Sequence, residues 1–372
     1  MYPERVRQRL AFLSLCAVWA AVLWGACSSP ERSGVGGGVQ SGSVASSSAS
    51  GFVSDGASIC GSEYHNALTK YPLLYFVIDR SGSMSDLEGG VSRYEKVRLA
   101  TLDLVNTLGA LVRVGVTLFP SPDAGPGTEC LPGEEVFSPK VNPGSAFEDA
   151  IDSFPLGGTP IASTLQAVRP KLASQPSPKV VILATDGGPN CNSQLSCDAS
   201  QCMINIAGEC PPSTNCCAPP EGLVENCLDH QATAAAIDAL VAEGTNVYVI
   251  GIPGSELFGT VLDQMAVHGG VPVSGMPEYY YRVDDLDGLA DVFKEIAREL
   301  VSCTFDLADP PEDQGLTNVY FDGEVVFLDP VDGWTWVDAD TVELVGAACE
   351  TLKSGAVEQV QIVSGCPSVA PQ

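Results

Sequence analysis

Leu73-Leu74-Tyr75-Phe76-Val77-Ile78 is an unbroken apolar run that ends on Asp79. A strand with one wetted face alternates apolar and polar residues, so a run without alternation reads as a strand buried on both faces of a parallel sheet. That sheet must be covered by helices on either side, which sets the class of fold before any other residue is read. Where the run stops, Asp79-Arg80-Ser81-Gly82-Ser83-Met84 places one carboxylate and two hydroxyls at alternate positions. In an extended exit loop this spacing turns three oxygens to one side. Oxygen donors without thiols or imidazoles suit a hard divalent cation such as Mg²⁺.

The segments that follow alternate as the sheet requires. Val97, Ala100, Thr101, Leu104, Val105 and Leu108 share one helical face. Val112–Phe119 reads as a strand, a helix opens at Gly158-Thr159-Pro160, and Val180–Thr185 is another buried strand. Ala232–Glu243 is a helix closed by Gly244, Asn246–Ile252 a strand, and Leu289, Val292, Phe293, Ile296, Ala297 and Leu300 mark a last amphipathic helix. The pattern predicts an α/β fold, a doubly wound, mainly parallel sheet flanked by helices, whose ligands bind at the carboxyl ends of the strands. After Cys303 the texture changes. Thr317–Phe321 and Glu324–Leu328 flank the hairpin signal Asp322-Gly323, and Val360 and Ile362 alternate with Gln359 and Gln361. A small antiparallel β module over 304–372 is expected, with Cys349 and Cys366 as a candidate staple.

On these residues, 59–303 resemble a von Willebrand factor A (vWA) domain. The run of Asp79, Ser81 and Ser83 resembles the first part of that family's metal-ion-dependent adhesion site. The resemblance implies a Thr from a later loop and an Asp after another strand. Thr159, in Leu156-Gly157-Gly158-Thr159-Pro160, and Asp186, directly after Val180–Thr185, match those positions. It also implies Mg²⁺ as the ion, with Mn²⁺ or Ca²⁺ as alternatives, held by Asp79 and Asp186 directly or through water. Hydroxyl ligands are neutral, so such an ion stays partly unneutralised and can take a carboxylate from a protein or other macromolecular partner. Each residue also has a plainer reading. Thr159 before Pro160 suits a helix cap, Ser81 and Ser83 suit caps of the next turn, and Asp186-Gly187 suits an ordinary turn.

Enzyme chemistry finds little support. A strand ending in Asp resembles the nucleophile of haloacid-dehalogenase-like phosphatases, but their second Asp, two positions on, is here Ser81. His65, His230 and His268 lie in no nucleophile–base motif. Asp284-Asp285-Leu286-Asp287-Gly288 lacks the regular ligand spacing of a calcium loop and reads as acidic residues at a helix start. The expected function is metal-dependent binding and not catalysis. The alternative is a cell-envelope scaffold or assembly factor whose metal is structural, with a metal-dependent hydrolase as a third reading.

The chain's start reads as export. Arg5, Arg7 and Arg9 precede an apolar stretch from Leu10 to Ala26. The end of that stretch, Leu23-Trp24-Gly25-Ala26-Cys27, resembles a bacterial lipobox with Cys27 as the acylated residue, Trp24 departing from the usual aliphatic. Cleavage nearby, or retention as a 17-residue anchor, are the alternatives. Residues 1–27 are thus the signal segment, and 28–58, rich in Gly and Ser, a flexible tether to the membrane. Ser28 after Cys27 fits outer-membrane sorting. The net charge of −28 argues against nucleic acid as a partner.

Of the 14 cysteines, Cys16 leaves with the leader and Cys27 carries the lipid, which leaves 12. An even number in an exported chain reads as disulfides. Seven of them (Cys191, Cys197, Cys202, Cys210, Cys216, Cys217 and Cys227) crowd an insert over 187–227, directly after Asp186. Seven is odd, so at least one must pair outside, and Cys130 is a candidate. Cys60 and Cys303 are placed to clasp the ends of the domain. The insert leaves the sheet beside the proposed metal, so it is expected to form part of a ligand-binding rim or to be a stapled surface elaboration.

Overall fold

The computed structural model describes residues 61, 63–65, 67–68, 71–200, 202, 210–211, 213–274 and 278–371. The leader, Cys27, the tether and Cys60 lie outside the described residues. All described residues belong to one compact unit, Gly56–Gln372.

The central sheet has six strands in the order Tyr281–Arg282, Asn246–Gly251, Lys179–Thr185, Leu73–Asp79, Arg113–Phe119 and Glu134–Lys140. All neighbours run parallel except Glu134–Lys140, an antiparallel edge strand with irregular register. Every residue of Leu73–Asp79 is buried, as its lack of alternation predicts. Leu74, Phe76 and Ile78 face the helices Arg93–Leu108 and Leu289–Leu300, where Phe76 meets Phe293 edge-on at 5.2 Å. Leu73, Tyr75 and Val77 face the helices Ile161–Ala173, His230–Ala242 and Gly259–His268. A sheet sandwiched in this way exposes its strand ends alone, and the exit loops of adjacent parallel strands meet at one edge.

Local signals account for several boundaries. Ser92 caps Arg93–Leu108 by accepting the Glu95 N–H, a Ser-x-x-Glu start. His230–Ala242 ends before Gly244, whose φ of 75° is the left-handed conformation that a helix stop favours. Around the tempting acidic stretch, Asp285 caps the turn Leu286–Gly288 and Asp287 pairs with Lys96 at 3.1 Å, which are structural duties.

The C-terminal module differs from expectation in its borders and its staples. It contains two four-stranded antiparallel sheets with a common core around Trp334, Val342 and Ile362, and one helix, Gly346–Lys353. Glu63–His65 pairs with Val360–Ser364, and Ala67–Leu68 pairs with Thr304–Leu307. Residues just before the central sheet therefore complete the module, so it is not confined to 304–372. Strands of two or three residues carry no period by which sequence could reveal them. Cys303 bonds to Cys349, which corrects both the Cys60–Cys303 clasp and the Cys349–Cys366 staple. Cys366 is also disulfide-bonded. Cys303 leads into a strand of the module and Cys349 sits in its helix, so this bridge fastens the module's own helix to its sheet. Among the described residues no helix is long and apolar enough to cross a membrane.

Candidate metal centre

Asp79 and Asp186 come from neighbouring parallel strands. Ile78 lies opposite Ala184 in the register, so the two chains leave the sheet together. Asp79 is wholly buried, and both its oxygens accept hydrogen bonds, Oδ1 from the Ser81 N–H at 2.7 Å and Oδ2 from the Thr185 hydroxyl at 2.6 Å. Burial pushes its carboxyl up to about 7, with the charge of Asp186 adding to the rise. Asp186 is buried as well, and burial raises its carboxyl too, against the hydrogen bonds of Ser83 and Arg93. Two buried carboxylates side by side repel each other, and a bound cation relieves that cost.

The hydroxyls lie where such a cation would sit. Ser83 Oγ donates to Asp186 Oδ1 at 2.7 Å, and Ser81 Oγ stands 3.2 Å from Ser83 Oγ. Neither serine side chain caps the short turn Gly82–Ser85; its buried Met84 anchors the loop instead. Thr159 does not open its helix in the expected way either. The helix begins at Ile161 after Pro160, with no side-chain cap. Thr159 lines the same groove as Ser81, Ser83 and Asp186, and its Oγ1 lies 3.8 Å from where a Cβ on Gly187 would stand. The plain capping readings of these residues therefore do not hold, and all five expected positions are brought to one sheet edge. Two carboxylates and three hydroxyls, without sulfur or imidazole, fit a hard divalent ion. Among the described residues no group of three or more His, Cys, Asp and Glu is placed to hold a metal ion.

Three contacts hold the Thr159 loop in place. Gly82 N–H donates to Gly157 O at 3.0 Å, tying it to the serine loop. Thr159 and Asn190 exchange bonds, Thr159 N–H to Asn190 Oδ1 at 2.7 Å and Asn190 N–H to Thr159 O at 3.0 Å. Cys130 bonds to Cys191, and a Cβ on Gly158 would stand 2.4 Å from Cys191 Sγ, so only glycine fits against this bridge. Cys130 is thus the outside partner that the odd count of insert cysteines requires. The other insert pairs are Cys197–Cys227, Cys202–Cys217 and Cys210–Cys216. Five bonded pairs among the described residues suggest an oxidising compartment.

Two arginines were not legible as site residues. Arg80, buried within the Asp79–Ser83 run, gives its guanidinium to the carbonyls of Phe154, Pro120 and Ser121 and so pins two flanking loops. Arg93, in the first turn of its helix, reaches Asp186 Oδ2 at 2.9 Å, Asp86 at 3.2 Å and Glu88 at 3.2 Å. The Ser92-x-x-Glu95 cap, which starts the helix at Arg93, was the available signal, because it fixes that side chain next to the exit loops.

The groove above these residues has a volume of about 1160 Å³. The insert contributes Cys191, Leu223, Glu225 and Asn226 to its lining.

The profile of the von Willebrand factor type A domain matches residues 74–295. The chain belongs to this family. The matched span of the vWA domain runs from the first central strand into the last helix of the sheet's cover. Among solved structures, the pilus adhesin SpaC from Lactobacillus rhamnosus GG is similar at 17% identity and a TM-score of 0.46, over 80% of this chain and 39% of that one. The PilB minor pilin from Streptococcus sanguinis shows 21% identity over 62% of this chain and 61% of that one, at a TM-score of 0.42. The vWF domain of the type V pili tip protein Mfa5 from Porphyromonas gingivalis shows 14% identity over 63% and 96%, at 0.43. This chain spans well under half the length of the SpaC adhesin. No curated protein matches the sequence.

Proposed function

We infer that this vWA protein is exported, held at the bacterial envelope by lipid on Cys27, and binds a macromolecular partner through a divalent metal ion. One observation carries the binding role. Asp186, Ser81, Ser83 and Thr159 line an open groove, and Asp79 lies wholly buried at the end of the neighbouring strand, with both carboxyls raised. Mg²⁺ held there would supply an electrophilic position for a partner's carboxylate, while the neutral hydroxyls leave most of its charge uncompensated. The disulfides and the Arg-led apolar leader support export, and the small residues before Cys27 support lipidation.

The test is retention of partners from envelope extract on the full chain, with Mg²⁺ or with EDTA. Metal-dependent retention that Asp186→Ala removes, with the circular dichroism of the fold unchanged, is the expected result. Equal retention with EDTA would overturn the reading.

Acid should compete with the metal. Asp79 titrates at about 7 in the metal-free fold, above its ordinary 3.8. Its protonated form therefore contributes stability that is full below about pH 4 and is lost as pH rises through about 7. Mg²⁺ uptake must expel that proton, so apparent affinity should fall about tenfold per pH unit below neutrality. Calorimetry in buffers of different ionisation enthalpy measures the released proton; a pH-independent affinity would count against Asp79 as part of the site.

A further inference from the structure

In the C-terminal module, far from the metal residues in sequence, a buried imidazole grips a main-chain carbonyl. His65, on the edge strand Glu63–His65, places its Nδ1 2.6 Å from the carbonyl oxygen of Asp309, 244 residues later in the chain. A carbonyl oxygen can only accept, so Nδ1 carries a proton and points it at that oxygen. Nε2 faces the Ser364 hydroxyl at 2.7 Å, and that hydroxyl also lies 3.3 Å from Glu63 Oε2. The hydroxyl can donate to a neutral ring, or accept from a charged ring while donating to Glu63, so the Nδ1–H stays in place in both forms. The carbonyl so held belongs to the peptide bond Asp309–Pro310, in the bend after Thr304–Leu307. Asp309 is exposed, and among the described residues its carboxylate has no hydrogen-bond or ion-pair partner.

We propose that the chain cleaves itself at Asp309–Pro310, with Asp309 as the nucleophile and His65 as the donor that polarises the scissile carbonyl. The Asp309 carboxyl oxygen attacks its own main-chain carbonyl carbon, which closes a five-membered ring within one residue. Negative charge collects on the carbonyl oxygen, where the His65 Nδ1–H already points. The C–N bond then breaks, and the carboxyl's proton passes to the Pro310 nitrogen. A cyclic aspartic anhydride and a free amine remain. Water opens the anhydride to a pair of carboxyl groups, so the net change is hydrolysis of one peptide bond. Proline suits the leaving side, because it departs as a secondary amine, more basic than the primary amine that any other residue gives. The chain's other Asp–Pro bond, Asp329–Pro330, is an internal control. There Asp329 Oδ1 is engaged by the Val331 N–H at 2.9 Å, and its carbonyl accepts from the Gly333 N–H at 3.2 Å and not from an imidazole. The cut would not part the pieces. Cys303–Cys349 spans it, and Thr304–Leu307 stays paired with Thr341–Leu344. Neither the metal nor its groove takes part.

The purified full chain, kept folded for days over the range in which imidazole titrates, about pH 5 to 8, tests the proposal. Gels with and without reductant, read with mass spectrometry, are expected to show a fragment that begins at Pro310 and separates only after reduction. Asp329–Pro330 should stay intact. His65→Phe keeps a ring at the position and removes the donor, and should slow the cut about 100-fold, the cost of losing one oxyanion donor. Asp309→Ala changes an exposed side chain and should abolish the cut whether or not the His65 variant folds. Unfolding the parent in urea should stop it too, because the imidazole then leaves the carbonyl. An uncut native chain would show that His65 only ties the bend to the sheet, and would overturn the proposal. Equal cutting at both Asp–Pro bonds, a cut that persists in Asp309→Ala or in urea, or the parent rate in a folded His65→Phe would each overturn it as well.

Discussion

Asp79→Asn is expected to lower Mg²⁺ affinity at least about 100-fold, beyond the range that loss of an outer-shell partner costs a metal site. The same change should leave the metal-free protein as stable as the parent or more so. The two effects have opposite signs because the carboxylate is poorly placed for anything but a cation. It is wholly buried, and both its burial and the neighbouring Asp186 disfavour its charged form. The variant's amide oxygen can still accept the Ser81 N–H, and its amide NH₂ can donate to the Thr185 hydroxyl. That hydroxyl already stands 3.2 Å from the Gly187 carbonyl, where it can turn its own proton. No polar atom need be orphaned. Thermal melts with and without Mg²⁺ read both effects at once. A variant much less stable than the parent without metal would show that Asp79 is a structural acceptor and not a ligand. Should partner retention survive the loss of Mg²⁺ binding, the metal serves the fold, as a scaffold role requires.

Replacing Cys130 and Cys191 together by Ala should cost about 4 kcal/mol of stability, from the loop-closure entropy of a 61-residue separation. No other cysteine lies between the two, so the whole loop is released. The loss should also reach the metal. The bridge packs on Gly158 and holds Asn190, whose reciprocal bonds with Thr159 place that residue in the groove. Urea unfolding gives the first quantity and calorimetry of Mg²⁺ the second. A drop in stability with unchanged Mg²⁺ affinity would free Thr159 from dependence on the bridge.

The central sheet was legible because its strands break the alternation rule. Leu73–Ile78 and Val180–Thr185 contain nothing that could face water, and Gly244 marks its helix stop by an allowed φ that other residues resist. The border of the C-terminal module was not legible. Glu63–His65 and Ala67–Leu68 are too short to show a period and find their partners about 240 to 300 residues later in the chain. The disulfides followed the same division. The odd count of insert cysteines demanded an outside partner, whereas Cys303–Cys349 depended on where the helix Gly346–Lys353 packs.

The sequence by itself determined the class of sheet and the five oxygen-bearing residues that a divalent ion could use, because period and spacing are local properties of the chain. Tertiary structure alone decided how those residues are tuned. It aligned Thr185 with Asp79, delivered Arg93 to Asp186, and folded the disulfide-held insert over the groove with Leu223 and Glu225 at its lining. Contacts between residues tens to over a hundred positions apart are set by packing of the sheet and its loops, and packing leaves no periodic trace in the order of residues.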